Sequence, residues 1–151
     1  KQLVAERKLP KQILDLIRGI TRELGTSLML ITHNLGIVAR YAQRVYVMYA
    51  GRIIEYGPAR DVYHFPSHPY TTGLLASVPR LDEPIKTRLQ PIDGQPPDLM
   101  SPSEVCSFRP RCAYLSPACG NGDHTLKEVS PGHFSACPLA HNGKGPWQKK
   151  Y

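Results

Sequence analysis

The first 105 residues of this 151-residue chain contain no cysteine, and the first 65 contain only two of its 15 prolines. No apolar run approaches the roughly 20 residues that a membrane-spanning helix needs. The N-terminal residues also lack the apolar core of a secretory signal. These absences favour a cytosolic protein, in which stable disulfides are uncommon. The apolar fraction of 41% and the charged fraction of 21% are typical of a globular protein.

The net charge of +7 is unevenly distributed, because residues 1–60 carry ten basic side chains and only four acidic ones. Such a basic surface is compatible with phosphates, anionic lipid or a protein partner. It is equally compatible with the solvated side of ordinary helices. Charge alone therefore does not select a function.

Periodicity and turn residues predict an α/β arrangement in the first half of the chain. The predicted elements are a helix at 11–24, a strand at 27–32, a helix at 35–41, a hairpin at 44–56 and short helices at 59–65 and 68–77. Gly25 is a natural helix stop, and Ala50-Gly51 is a two-residue link that suits a hairpin. The run at 27–32 is continuously apolar, as in a strand buried on both faces of a parallel sheet.

A single parallel strand cannot form a sheet without neighbours, and the sequence offers no second candidate upstream. We therefore predict that residues 1–65 form the C-terminal part of a larger α/β domain. Prolines dominate the remainder, where we predict a helical and proline-rich linker at 66–100, a small irregular cysteine-rich segment at 101–141 and a tail at 142–151.

His33 directly follows the predicted buried strand. Ligands of open α/β sheets bind at the carboxyl ends of strands, where an imidazole can donate to a phosphate oxygen or orient an attacking water. A histidine that merely ends a strand or begins a helix would give the same pattern. The position makes His33 a candidate catalytic residue.

Four cysteines, with five, six and seventeen residues between them, occupy the last third of the chain: Cys106, Cys112, Cys119 and Cys137. Four thiolates can bind zinc or hold an iron–sulfur cluster. Structural zinc sites usually use tighter pairs of the form C-x₂₋₄-C, so the wide spacing favours a cluster without excluding zinc.

Arg109 and Arg111 would offset the charge of bound thiolates, or are ordinary exposed side chains. With four cysteines available, His124, His133 and His141 are predicted to be surface residues, and His64 and His68 are assigned no chemistry.

Two segments, LITHNLGIVA at 30–39 and VMYAGRIIEYGP at 47–58, together resemble the end of an ABC-transporter ATPase domain. Two more, HPYTTGLLASVP at 68–79 and IDGQPPDL at 92–99, resemble the C-terminal extension of the subfamily that powers dipeptide and oligopeptide importers. The cysteine pattern occurs in that subfamily too. The family usually has an aspartate after the histidine, where this chain has Asn34.

The resemblance implies a P-loop ATPase domain that uses ATP and Mg²⁺, with His33 as the switch histidine that contacts the γ-phosphate. It implies a place on the cytoplasmic face of the membrane, with transmembrane permease subunits and a second ATP-binding subunit as partners. It also implies a [4Fe–4S] cluster on the four cysteines. The phosphate loop G-x-x-x-x-G-K-[ST], the family signature and the acidic magnesium-site segment are absent from the sequence. The chain alone is therefore predicted to be inactive as an ATPase.

Two other interpretations remain at this point. The chain could be a metal-stabilised module that binds nucleic acid or protein, although the cysteine segment lacks a basic helix and no nucleic-acid partner is expected. It could also be a secreted protein held together by disulfides, in which case no thiol would be free.

Overall fold

The computed structural model describes residues 11–77, 92–98, 105–143 and 145–147. The predictions for residues 1–10, for most of the linker and for the end of the tail lie outside these residues. The chain divides into two compact units, Lys1–His33 and Asn34–Tyr151. Among the described residues, no helix combines the length and the apolar character needed to cross a lipid bilayer.

The first unit contains helix α1, Lys11–Glu23, which confirms the helix predicted from the apolar spacing. Only Leu14 of this helix is buried. The strand predicted at 27–32 is wrong for the described residues, where this run has no strand conformation. Met29 is 85% exposed and Ile31 is 91% exposed. The physical reason is that a parallel strand needs hydrogen-bonded neighbours, and no described strand pairs with this run.

The second unit begins with α2, Leu35–Tyr41, and the hairpin of β1, Arg44–Tyr49, and β2, Arg52–Pro58. The two strands pair antiparallel, and both residues of the connecting turn have positive φ, 48° at Ala50 and 77° at Gly51. Positive φ at both central positions is what a type I′ hairpin turn requires. The predicted hairpin is therefore confirmed.

Two short helices follow the hairpin, α3 at Ala59–His64 and α4 at Pro69–Ala76, as predicted. Proline occupies the first position of α4, where its missing N–H has no helical partner to lose. The cysteine-rich part then forms a 3₁₀-helix at Arg109–Arg111, α5 at Ala118–Asn121, β3 at Lys127–Ser130, β4 at His133–Ser135 and α6 at Pro138–His141.

The cysteine-rich part is less irregular than predicted, because β3 and β4 extend the hairpin into one four-stranded sheet. The strand order is β1-β2-β4-β3, and every pairing is antiparallel. Phe108 joins the core on the hairpin, packing with Tyr49 and Tyr70 at ring-centroid distances of 5.3 and 5.5 Å. The cysteine-rich segment therefore shares an apolar core with the hairpin.

A buried polar network joins β2 to β4. Nε2 of His133 donates to Oε1 of Glu55 at 2.7 Å, and the two side chains are 1% and 0% exposed. The same carboxylate oxygen accepts the Ser67 N–H at 2.6 Å. Gly57 lies opposite His133, and a Cβ added there would come within 2.9 Å of the imidazole ring. The predicted surface position of His133 is therefore wrong, because a partner 78 residues away in sequence holds it in the interior.

The Glu55→Leu variant should lose about 2–5 kcal/mol of unfolding free energy, since it leaves the buried Ser67 N–H and the His133 ring without their acceptor. Urea unfolding followed by circular dichroism measures the loss. Glu55→Gln is the matched control, because its amide oxygen can still accept both hydrogen bonds. Equal stability of Glu55→Leu and Glu55→Gln would contradict the role given to this network.

Candidate metal centre

All four cysteines line one narrow cavity, together with residues from α4, the 3₁₀-helix and α6. The other lining residues are His68, Pro69, Phe108, Arg109, His124, Pro138 and Leu139. The cavity volume is about 10 Å³, roughly the room of one water molecule. Four sulfur-bearing side chains that are spread over 32 residues of sequence therefore line the same cavity.

Short turns present the four thiols to the cavity. The carbonyl of Cys106 accepts the N–H of Arg109, and Cys112 ends the 3₁₀-helix. Cys119 lies in α5, and its sulfur is 3.7 Å from the Ser116 hydroxyl oxygen. Pro110 is the second residue of the 3₁₀-helix. Its ring fixes the backbone dihedral angle φ close to Cys112.

Cys137 is tied to the buried network of the sheet. Its N–H donates to the Ser135 hydroxyl at 3.2 Å, and that hydroxyl donates to the carbonyl of Ser67 at 2.7 Å. Cys137 then begins α6, packing against Ala140 and Trp147. The indole N–H of Trp147 donates to the carbonyl of Pro66 at 3.0 Å. The last cysteine is therefore held by the strands and by the loop that precedes α4.

None of the four cysteines forms a disulfide. Four free thiols do not support the interpretation as a secreted disulfide protein. Within residues 11–77, 92–98, 105–143 and 145–147, no three His, Cys, Asp or Glu side chains are close enough together to hold a single metal ion. The sulfurs surround a common cavity without converging on one point.

Burial controls the protonation of these thiols. It raises the pKa of Cys106 and Cys112, and it raises the pKa of Cys137 to about 12. Neighbouring cysteines raise these pKa values further, because thiolates in one cavity repel each other. The thiols of Cys106, Cys112 and Cys137 are therefore neutral near pH 7 and must release protons when they bind a metal, so metal affinity decreases as the pH falls.

Two histidines that the sequence analysis left without chemistry line the same cavity. His68 is 2% exposed, and its Nδ1 accepts the N–H of Tyr70 at 3.1 Å, which caps α4. Burial lowers the pKa of His68 to about 3, so its ring is neutral. His124 donates from Nε2 to the carbonyl of Cys119 at 3.2 Å, and its buried Nδ1 has no partner among the described residues. His124, which was predicted to be a surface residue, is partly buried and lines the cavity. His68, to which the sequence analysis assigned no chemistry, is the N-cap of α4.

The two arginines between Cys106 and Cys112 have different surroundings. Arg109 lines the cavity, where its charge can offset that of thiolates. Arg111 instead donates to the carbonyls of Ile92 and Asp93, each at 2.8 Å, and lies 3.4 Å from the Tyr49 hydroxyl. Arg111 therefore fastens residues 92–93 to the hairpin.

His33 is an exposed residue at a bend, at the end of the first unit. Asn34 follows it as the N-cap of α2, and its side-chain oxygen accepts the N–H of Ile37 at 3.2 Å. Asparagine is as good an N-cap as aspartate, so capping α2 does not require the acidic residue usual in the resembled family. The catalytic role of His33 stays a prediction.

Comparison with known proteins confirms the resemblance seen in the sequence. Residues 54–119 match the family described as "Oligopeptide/dipeptide transporter, C-terminal region". The match runs from β2 through the first three cysteines.

Curated relatives extend the similarity over most of the chain. The oligopeptide transport ATP-binding protein OppD of Salmonella typhimurium is 46% identical over 126 residues, covering 83% of this chain and 37% of that protein. A putative peptide import ATP-binding protein of Brucella ovis is 44% identical over 131 residues, with coverages of 83% and 39%. The dipeptide transport ATP-binding protein DppD of Bacillus subtilis is 54% identical over 101 residues, with coverages of 67% and 30%. The chain thus spans less than two-fifths of the length of each of these relatives.

Proposed function

We propose that this chain, which carries the C-terminal region of the oligopeptide/dipeptide transporter family, is the C-terminal part of the ATP-binding subunit of a peptide importer. The observation that carries the proposal is the 46% identity to an oligopeptide transport ATP-binding protein over 126 residues. The family match at residues 54–119 reaches from β2 into the cysteine-rich part, and the structure joins these two parts in one sheet.

The remainder of such a subunit would supply the phosphate loop and the Mg²⁺ site, which this sequence lacks. The exposed apolar run that contains Met29 and Ile31 supports the proposal, because it offers a surface for neighbouring strands. His33 would then contact the γ-phosphate of ATP. The subunit would work at the cytoplasmic face of the membrane with a second ATP-binding subunit and with the permease subunits that carry the peptide.

We propose further that Cys106, Cys112, Cys119 and Cys137 hold a [4Fe–4S] cluster within a cysteine-rich segment at 101–141. The donor set supports it, since four free thiols surround one cavity. A single zinc ion would need ligands that approach one point, and no three described ligands do so. The present cavity is smaller than a cluster, so the cysteine turns must separate when it is inserted. A bound cluster would supply one-electron redox chemistry and fix the four turns to one another.

The purified 151-residue chain should show no ATP turnover, because nothing in its sequence provides the loop that holds the phosphates. The full-length subunit, assembled with its permease in vesicles, should hydrolyse ATP faster when peptide is supplied. Phosphate release measures both activities. Turnover by the isolated chain that disappears in its His33→Ala variant would overturn the proposal that ATP hydrolysis needs the remainder of the subunit.

A further inference from the structure

The hydroxyl of Tyr63 connects α3 to the beginning of α2. It donates a hydrogen bond to the backbone carbonyl of Leu35 at 2.6 Å. Tyr63 is half-buried, and burial raises the pKa of its hydroxyl, an effect that the backbone N–H of Ala39 partly offsets. The hydroxyl is therefore protonated near pH 7 and acts as a donor. Leu35 is the first residue of α2, and His33 precedes it by two positions.

Helix α3 is itself held in place, so the hydroxyl of Tyr63 is a fixed donor. Val62, the residue before Tyr63, is 1% exposed and packs in the apolar core of the hairpin. The backbone N–H of Ala59, the first residue of α3, donates to the carbonyl of Gln43 at 2.9 Å, just after the end of α2. Helix α3 therefore holds the chain both at the start of α2 and beyond its end.

We propose that Tyr63 is a positioning residue for ATP hydrolysis, which fixes the start of α2 and thereby the backbone from which the side chain of His33 extends. The inference rests on the proposed function, in which His33 contacts the γ-phosphate of ATP. Tyr63 does not contact the nucleotide in this proposal. Its effect on the reaction is exerted through the imidazole of His33.

The hydrogen bond from Tyr63 acts on the residues that directly follow His33. His33 is bonded to Asn34, whose side-chain oxygen accepts the N–H of Ile37 at 3.2 Å and caps α2. The cap and the hydrogen bond to Leu35 restrain two consecutive residues. A displacement of about 1 Å in a group that takes part in the chemistry can cost about 10²-fold in rate. Loss of the Tyr63 hydroxyl should therefore lower the rate of hydrolysis more than the affinity for ATP.

The test is a double-mutant cycle in the full-length subunit assembled with its permease, made from Tyr63→Phe, His33→Ala and the double variant. Tyr63→Phe keeps the ring and removes only the hydroxyl. It should lower kcat for ATP hydrolysis by about tenfold and leave the Kd for ATP within about twofold of the wild type. In the His33→Ala background the same change should lower kcat by less than about twofold, because residues that act as a unit have non-additive effects.

Tyr46→Phe is the matched control, because it removes a hydroxyl from an exposed tyrosine of β1. Its kcat should stay within about twofold of the wild type. Hydrogen exchange of the same importers, followed by mass spectrometry, measures the restraint on α2 directly. The amides of residues 34–41 should exchange about two- to tenfold faster in Tyr63→Phe than in the control, which corresponds to the net contribution of one hydrogen bond.

An equal loss of kcat from Tyr63→Phe with and without the His33 imidazole would overturn the positioning role and leave the proposed function intact. Unchanged kcat in Tyr63→Phe, or unchanged exchange of residues 34–41, would overturn it as well, whatever the residual rate of His33→Ala. A His33→Ala importer that hydrolyses ATP at the wild-type rate would instead overturn the proposed role of His33, and the inference about Tyr63 with it.

Discussion

Replacing Cys137 by serine should lower the iron content of the protein more than any change outside the four cysteines, if these residues hold the proposed cluster. A hydroxyl is a poor ligand for iron–sulfur clusters, which select soft thiolates. Even substitutions of residues that only support a ligand typically cost 10–100-fold in metal affinity, so we expect the iron content to fall by at least about tenfold. Cys137 is 5% exposed and its backbone N–H is tied to Ser135 of the sheet, so the serine would occupy the same buried position as the lost thiol.

The matched control for Cys137→Ser is Ala136→Ser, which also places a hydroxyl at a buried position of the same turn. Ala136 is 8% exposed, and its backbone N–H bonds to the carbonyl of Ile54, a contact that the control retains. Iron per chain, measured after anaerobic purification, should be close to the wild-type value in the control. Equal iron in the two variants would remove Cys137 from the proposed ligand set.

If His33 contacts the γ-phosphate as proposed, His33→Ala in the full-length subunit should reduce kcat for ATP hydrolysis by about 10²–10³-fold, the usual cost of removing one donor that stabilises developing charge. The affinity for ATP should change far less, because the phosphate loop and Mg²⁺ provide most of the contacts that bind the nucleotide. Steady-state phosphate release and nucleotide binding, measured on the assembled importer, separate the two effects.

His64→Ala provides the control for His33→Ala. His64 is an exposed histidine at the end of α3 whose ring lies near that of Phe65, at 6.4 Å between centroids. Its replacement should leave kcat within about twofold of the wild type, since substitutions of exposed side chains with no special role usually have small effects. A His33→Ala importer as active as this control would show that the imidazole does not take part in the reaction.

The elements that could be predicted from the sequence depend on short-range signals. The apolar spacing of α1, the positive-φ turn at Ala50-Gly51 and the proline that begins α4 each act within a few residues. The family resemblance was also readable, because several motifs occur in order along the chain, and the matched relatives confirm it. Local pattern and motif order thus gave the hairpin, the short helices and the family.

The missed features depend on contacts between distant residues. Strand β4 has only three residues and becomes a strand by pairing with β2, about eighty positions earlier in the chain. The burial of His133 follows from Glu55, and the place of His68 at the cavity follows from where the cysteine turns fold back. No spacing rule applied to one segment can reveal such partners. The strand predicted at 27–32 was wrong because its apolar pattern is a local signal, whereas a strand conformation there needs neighbouring strands to pair with.

Metal analysis of the wild-type chain after anaerobic purification tests most directly whether the four cysteines form an iron–sulfur centre. We expect iron and sulfide in equal amounts, about four of each per chain, with broad charge-transfer absorption near ~400 nm. A colourless protein with stoichiometric zinc, or with four thiols and no metal, would contradict this assignment.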